Sequence, residues 1–397
     1  MKQIDEDNIS RPVRTSLLPY GKQWLDDNDI QAVLETLHSD FITQGPQIER
    51  FERKVADYAG VQYAVAFCNG TAALHAACYA AGIGEGDEVI TTPNTFLASS
   101  NCVMYMGGKP VFADINPITY NIDPDRVAEQ INERTKAIIP VDFSGQPAEM
   151  DRLEMLARDH GLTIIHDAAH SLGASYGGRK VGTFGDMTMF SFHPVKLVTT
   201  GEGGMIVTNR ADLYEKLLLF RNHGMTRDPG KMEYNEGSWY YEMQALGYNY
   251  RMTELQAALG VSQMDKLDGF VASRRKIAKK YDRAFDNIPG LVTPRQHAEA
   301  ESSWHLYVLR WEPQHFKVGR KEIFEALREL QIGVQVHYIP VYKQPYYRAN
   351  GFAGVHCPNA EAYYETALSL PIFPKMTKED IQDVIEAVNT VVQRYKI

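Results

Sequence analysis

The sequence predicts an α/β protein, with a mostly parallel sheet flanked by helices on both faces and a smaller α+β domain after it. Between Val61 and Asn209, short β-rich runs alternate with helical stretches, which is the rhythm of strand–helix–strand units. The runs are nearly all apolar and do not alternate, as expected of strands buried on both faces. At 397 residues the chain exceeds one compact core and suits two lobes of roughly 100 to 200 residues or somewhat more.

In chain order, "YAVAFCNG" leads into the helix "TAALHAACYAAG", "DEVITTP" into "TFLASSNCVMYMG", and "KPVFADI" into "DPDRVAEQINER". The strands "KAIIPVDF", "LTIIHDAA", "MTMFSF" and "GGMIVTN" continue the series. A long helical region, Thr253 to Asp286, gives way to "WHLYVLRW", the helix "RKEIFEALRELQ", the strand-like "VQVHYIP" and a final helix "EDIQDVIEAVNTVVQRY". The boundary is expected near Leu267, giving a large domain over 1–266 and a small one over 267–397. The chain carries no internal repeat and no low-complexity segment.

Composition narrows the function classes. Hydrophobic residues at 44% and charged residues at 23% describe an ordinary globular protein. A net charge of -9 supplies no global basic field for nucleic acid or anionic membranes. No apolar run reaches the roughly 18 to 20 residues a membrane span requires. The N-terminus "MKQIDEDNIS" is acidic where a signal peptide would be basic and then apolar, so a cytoplasmic protein is expected. Cys68, Cys78, Cys102 and Cys357 lack metal-ligand spacing and are expected to be reduced thiols, with no metal site.

In a parallel sheet, ligands gather at the carboxyl ends of strands. The residues there are Asn69-Gly70-Thr71, Thr95-Phe96, Asp167 to His170, and Ser191 to Lys196. A loop lysine ordinarily carries a solvated ammonium. Lys196, however, follows the apolar run holding Phe190 and Phe192 and precedes the turn "GEGG". Deprotonating a free lysine at pH 7 costs about 4.6 kcal/mol, and burial or Schiff-base storage removes most of that. Asp167 is either a turn or cap residue or a carboxylate that keeps a pyridine nitrogen protonated. His170 is either a structural hydrogen-bonder or a catalytic group. Thr71 opens a helix as an N-cap or, with the free helix amides, as a phosphate site to which Ser191 adds a hydroxyl. Phe96 belongs either to the core or against a planar ring.

Taken together, the strand-end Asp167, Lys196 with its Glu-Gly-Gly, and the Asn-Gly-Thr helix start resemble the DegT/DnrJ/EryC1/StrS family of sugar aminotransferases, which have the aspartate-aminotransferase fold type and use pyridoxal 5'-phosphate. The resemblance runs from "FITQGPQIERFERKVADYAG" through "SFHPVKLVTTGEGG", "FRNHGM" and "LGYNYRMTELQAALG" to "QVHYIPVY". It implies that Lys196 anchors the cofactor covalently and then shuttles the proton. Asp167 matches the partner of the ring nitrogen, His170 that of the ring hydroxyl, and Phe96 the residue stacked on the ring. Gly70, Thr71 and Ser191 match phosphate contacts. Asn249 matches a residue reaching the phosphate from a neighbouring subunit, so a homodimer is expected. Two departures stand out: His170 replaces a frequent Gln, and Pro194 replaces an expected Ala. Dehydratases of this fold carry histidine in place of the lysine, so Lys196 points to amino transfer.

Within the family, "SFHPVK", "RNHGM" and "QVHYIPVY" resemble the pseudaminic acid branch. The substrate this implies is a UDP-linked 4-keto-6-deoxy-N-acetyl-hexosamine, aminated at C4 with L-glutamate as donor and 2-oxoglutarate as co-product. A UDP-linked 4-keto-pentose is the alternative, then a GDP sugar. His337 and Tyr338, at the end of "QVHYIP", and His193 are candidate sugar contacts. A non-catalytic sensor on the same fold is the rival from another class, against which intact Lys196, Asp167 and Thr71 count. A plain amino-acid aminotransferase would need a carboxylate-clamping arginine, which the sequence does not reveal.

Overall fold

The computed structural model describes residues 13–397; the N-terminal stretch read above for targeting lies outside them. Seven strands build the main sheet: β1 (Tyr63–Phe67), β2 (Glu88–Thr91), β3 (Lys109–Phe112), β4 (Thr135–Ile139), β5 (Thr163–Asp167), β6 (Met187–Ser191) and β7 (Gly204–Thr208). Each falls on one of the apolar runs. Their order is β1-β7-β6-β5-β4-β2-β3. The pairs from β6 through to β3 are parallel, while β7 runs antiparallel to both β1 and β6. The reversal follows from the connection: 192–203 contains no helix, so the chain turns back instead of crossing over. Lys196 sits in that return loop.

Helices cover both faces. Gly70–Ala80 and Ala98–Tyr105 pack on one side with Phe67, Ile139 and Ile206. On the other, Pro46–Ala59 and Glu254–Met264 bury Phe51 against Phe192, ring centroids 4.9 Å apart. Burying each such side chain contributes roughly 1.5–3 kcal/mol.

The expected single helical region over Thr253 to Asp286 is two helices, Glu254–Met264 and Leu267–Phe285. Asp265 and Lys266 break it where the Lys266 ammonium turns to pair with Asp26 and Asp29. "VQVHYIP" is not a strand. It makes one bridge, Gln335 to Ser369. Then Asn94 takes the Tyr338 N–H through its side-chain oxygen and the Pro93 carbonyl takes that of Val341, diverting the backbone from any ladder. The small sheet is instead Leu291–Val292, Tyr307–Trp311 and Ala367–Leu370, all antiparallel.

The small domain's core gathers Tyr281, Tyr307, Trp311, Leu327 and Val388. Leu18 also belongs to it and pairs with Ile332. An N-terminal strap therefore returns to the C-terminal lobe. All four cysteines are free thiols. Among the described residues, no helix is long and apolar enough to cross a membrane.

Candidate active site

The carboxyl ends of β1, β5 and β6 share one edge of the sheet, and a cleft of ≈ 870 Å³ opens there. The register explains its floor. Gly204, at the start of β7, pairs with Phe67 on one side and Ser191 on the other. A Cβ on Gly204 would lie 2.5 Å from the Asn69 carbonyl oxygen and 2.7 Å from the Gly70 nitrogen. Only glycine lets the turn after β1 close onto β7. Gly70 in turn faces Ser191, whose Cβ would be 3.3 Å from a Cβ added there.

Asn69, not Thr71, caps the helix Gly70–Ala80: its side-chain oxygen accepts from the Ala72 N–H at 2.8 Å. Asn69 has the extended backbone a cap requires, so Thr71 falls inside the first turn. Its hydroxyl lines the cleft beside Gly70 and Ser191.

Asp167 ends β5 and is buried. It accepts from the Ser99 hydroxyl at 2.7 Å and the Ala169 N–H at 3.1 Å. Thr95 Oγ1 stands 2.7 Å from Ser99 Oγ, extending the chain of hydroxyls. Burial nevertheless pushes the Asp167 carboxyl above its ordinary range, outweighing both donors and the Lys196 charge.

Lys196 occupies a tight turn in which its N–H donates to the His193 carbonyl at 2.9 Å. Pro194 sits at the second position of that turn, where its fixed φ is favourable. That accounts for the departure from alanine. Burial lowers the Lys196 ammonium to about 8, against the opposing pull of Asp167. Deprotonation at pH 7 then costs about 1.4 kcal/mol instead of 4.6.

His170, buried, also lines the cleft. Its Nε2 lies 3.3 Å from the Tyr338 hydroxyl, and its Nδ1 has no partner among the described residues. Burial, with Lys196 and His337 adding, holds it well below the usual histidine range, so it is neutral. Phe96 is 59% exposed at the cleft, which removes the core reading. His193 is exposed on the rim. His337 and Tyr338 form the opposite wall, with His337 Nδ1 2.8 Å from Ser369 Oγ. Asn249 does not line its own chain's cleft; it is exposed and bridges Asn222.

Several lining residues carried no expectation. Ser99 had a signal: two hydroxyls four residues apart, Thr95 and Ser99, at a strand end. Tyr20, on the N-terminal strap, and His305, before Tyr307–Trp311, had none, because both enter from the small lobe. Among the described residues, no arginine lines the cleft.

These groups fit pyridoxal phosphate. The Asp167 carboxylate is a buried charge that its two donors leave under-compensated, and a protonated ring nitrogen matches it. Asn69 satisfies the Ala72 and Ala73 amides, and Gly70, Thr71 and Ser191 line the cleft at the helix start, the amides and hydroxyls an anion site requires. His170 Nδ1 has capacity for one further hydrogen bond.

Known proteins agree. Residues 23–389 match the DegT/DnrJ/EryC1/StrS aminotransferase family. The chain is 43% identical to the spore coat polysaccharide biosynthesis protein SpsC of Bacillus subtilis, over 96% of this chain and 98% of the other. It is 35% identical to the UDP-4-amino-4,6-dideoxy-N-acetyl-beta-L-altrosamine transaminase of Campylobacter jejuni, over 96% and 99%. Its structure superposes with a TM-score of 0.89 on Helicobacter pylori PseC, an aminotransferase of pseudaminic acid biosynthesis, at 35% identity over 96% of this chain and all of that one. The chain belongs to the DegT/DnrJ/EryC1/StrS aminotransferase family, and is a sugar aminotransferase dependent on pyridoxal phosphate.

Proposed function

We propose that the enzyme moves an amino group from L-glutamate to C4 of a UDP-linked 4-keto-6-deoxy-N-acetyl-hexosamine, the amination step of pseudaminic acid synthesis, in the cytoplasm. The observation that carries the chemistry is Lys196, lowered to about 8 by burial beside the strand-end Asp167. The sugar assignment draws its support from the 35% identical relatives named for that chemistry.

When bound, pyridoxal phosphate supplies an electron sink for the carbon that loses its proton. The chain's residues do the rest. Lys196 anchors the cofactor, and its freed neutral Nζ takes the proton from the donor's α-carbon and later delivers one to C4 of the sugar. Asp167 keeps the ring nitrogen charged, and Ser99 fixes the carboxylate. Gly70, Thr71 and Ser191 hold the phosphate, Phe96 lies against the ring, and His170 meets the ring hydroxyl. His337, Tyr338 and His193 contact the sugar nucleotide.

The working unit is a homodimer. Tyr234, Trp239, Met243 and Leu246 are 69%, 69%, 62% and 74% exposed, more apolar surface than an isolated chain tolerates well. They precede Asn249 in the chain, and Asn249 is proposed to reach the partner's phosphate site.

Incubating the protein with glutamate and a panel of UDP-linked 4-keto sugars tests the reading, with products read by mass and NMR. C4 amination of the N-acetyl-hexosamine in preference to the pentose is expected. Preference for the 4-keto-pentose or for a GDP sugar overturns the assignment.

A further inference from the structure

We infer that His305 is a positioning residue: it holds the His170 ring in place from the small domain. The inference rests on the proposed contact between His170 and the cofactor ring. The two imidazoles are 4% exposed each, with centroids 4.3 Å apart and planes tilted by 43°. The same segment grips His170 at a second point, where the Ser303 hydroxyl donates to the His170 carbonyl at 2.9 Å.

Three features fix that segment. Gly145 lies beneath it with φ +99°, and a Cβ there would stand 2.7 Å from the His305 nitrogen. The Ser303 N–H donates to the Gly145 carbonyl at 3.0 Å, and the Leu306 N–H to that of Ser144 at 3.1 Å. Behind it, Arg274 is 1% exposed and makes no ion pair among the described residues. Its Nη1 instead donates to the carbonyls of Trp304, His305 and Ile372, at 3.2, 3.0 and 2.8 Å. A buried guanidinium spent on carbonyls makes charge-assisted bonds that hold the backbone firmly.

His305 therefore offers a ring face from a rigid segment, with its Nδ1 unpartnered among the described residues. The contact acts by packing: without it, His170 is free to turn within the cleft.

The experiment measures pyridoxal phosphate affinity by titrating apoprotein, together with the absorption maximum of the loaded protein. His305→Ala is expected to weaken binding roughly 10- to 100-fold, the range seen when the support behind a liganding group is removed, and to shift the band as His170→Ala does. His305→Phe, which restores a flat ring face, is expected to recover affinity to within about 3-fold of the parent, since shape rather than polarity is what packs. In the His170→Ala background, His305→Ala is expected to add nothing, the signature of one residue acting through another. Additive losses, or failure of Phe to rescue, overturn the inference. Should His305→Ala not fold, His305→Leu, which keeps bulk without a flat face, carries the same comparison. If His170→Ala leaves affinity and spectrum unchanged, the contact between His170 and the cofactor falls. If His170→Ala acts but His305→Ala does not, only the positioning role falls.

Discussion

The floor of the cleft and its far wall are built on different principles. The floor, from Gly70 and Thr71 to Asp167, Ser191 and Lys196, hangs on the ends of three strands of one sheet. Its side chains are placed by hydrogen-bond register, and their charges are set by burial in a rigid layer. The wall, with Tyr20, His305, His337 and Tyr338, comes from irregular segments of the small lobe. It is placed by packing against loops: Gly145 under His305, Asn94 against Tyr338. The floor concentrates chemistry in charged groups, whereas the wall presents neutral imidazoles and phenols. The contrast places the proposed reacting groups where the backbone is most constrained, and the proposed sugar contacts where two lobes meet.

The sharpest way to break this comparison is to remove the floor's nucleophile. Lys196→Ala is expected to cut amino transfer roughly 1,000-fold or more and to abolish the absorbance change on adding glutamate. It should also leave position 196 unmodified after borohydride reduction, as read by mass spectrometry. A glutamate-driven change at the parent rate would take Lys196 out of the chemistry.

Next in size is the pH response of stability, where Asp167 of the floor opposes His337 of the wall, while the lowered Lys196 of the floor acts in the same direction as His337. Burial lowers His337 to about 3 from its ordinary value, so its contribution is complete above about 6.5 and is lost as pH falls toward 3. His170 and His305 shift the same way. Asp167 is raised, so its contribution is present at low pH and lost as pH rises through its folded value. In the apoprotein, His337→Gln is expected to shrink the stability difference between pH 7 and pH 4 by on the order of 2 kcal/mol, measured by urea unfolding. An unchanged difference would mean that His337 does not stay neutral. Asp167→Asn should flatten the other limb and leave the acid limb alone.

The smallest effect expected is at Ser99. Ser99→Ala removes one donor from the Asp167 carboxylate and should raise its pKa further, weakening cofactor binding by about 10-fold. Affinity equal to the parent's would show that Ala169 alone satisfies the carboxylate.

Most of the floor was legible in the letters, because an unalternating apolar run signals a doubly buried strand and the residue after it lies at the sheet's ligand edge. All seven strands, with Asp167 at the end of β5 and Lys196 in the loop after β6, fall where that pattern puts them. The missed details have local causes. Asn69 outcompeted Thr71 as the cap because its side chain reaches the Ala72 amide. The helix break at Lys266 depended on Asp26 and Asp29, more than 200 residues upstream. "VQVHYIP" has strand composition, but Asn94 and Pro93 take its backbone groups.

The letters alone settled the sheet and the order of the candidate site residues along it, since periodicity is a local property, whereas the need for glycine where Asn69 meets Gly204 emerged only from the fold. Tertiary structure alone decided the Lys196 pKa, the charge imbalance at Asp167, and the meeting of His305 with His170. Those depend on how far water is excluded and on contacts between lobes distant in the chain, and neither is encoded in any short stretch of residues.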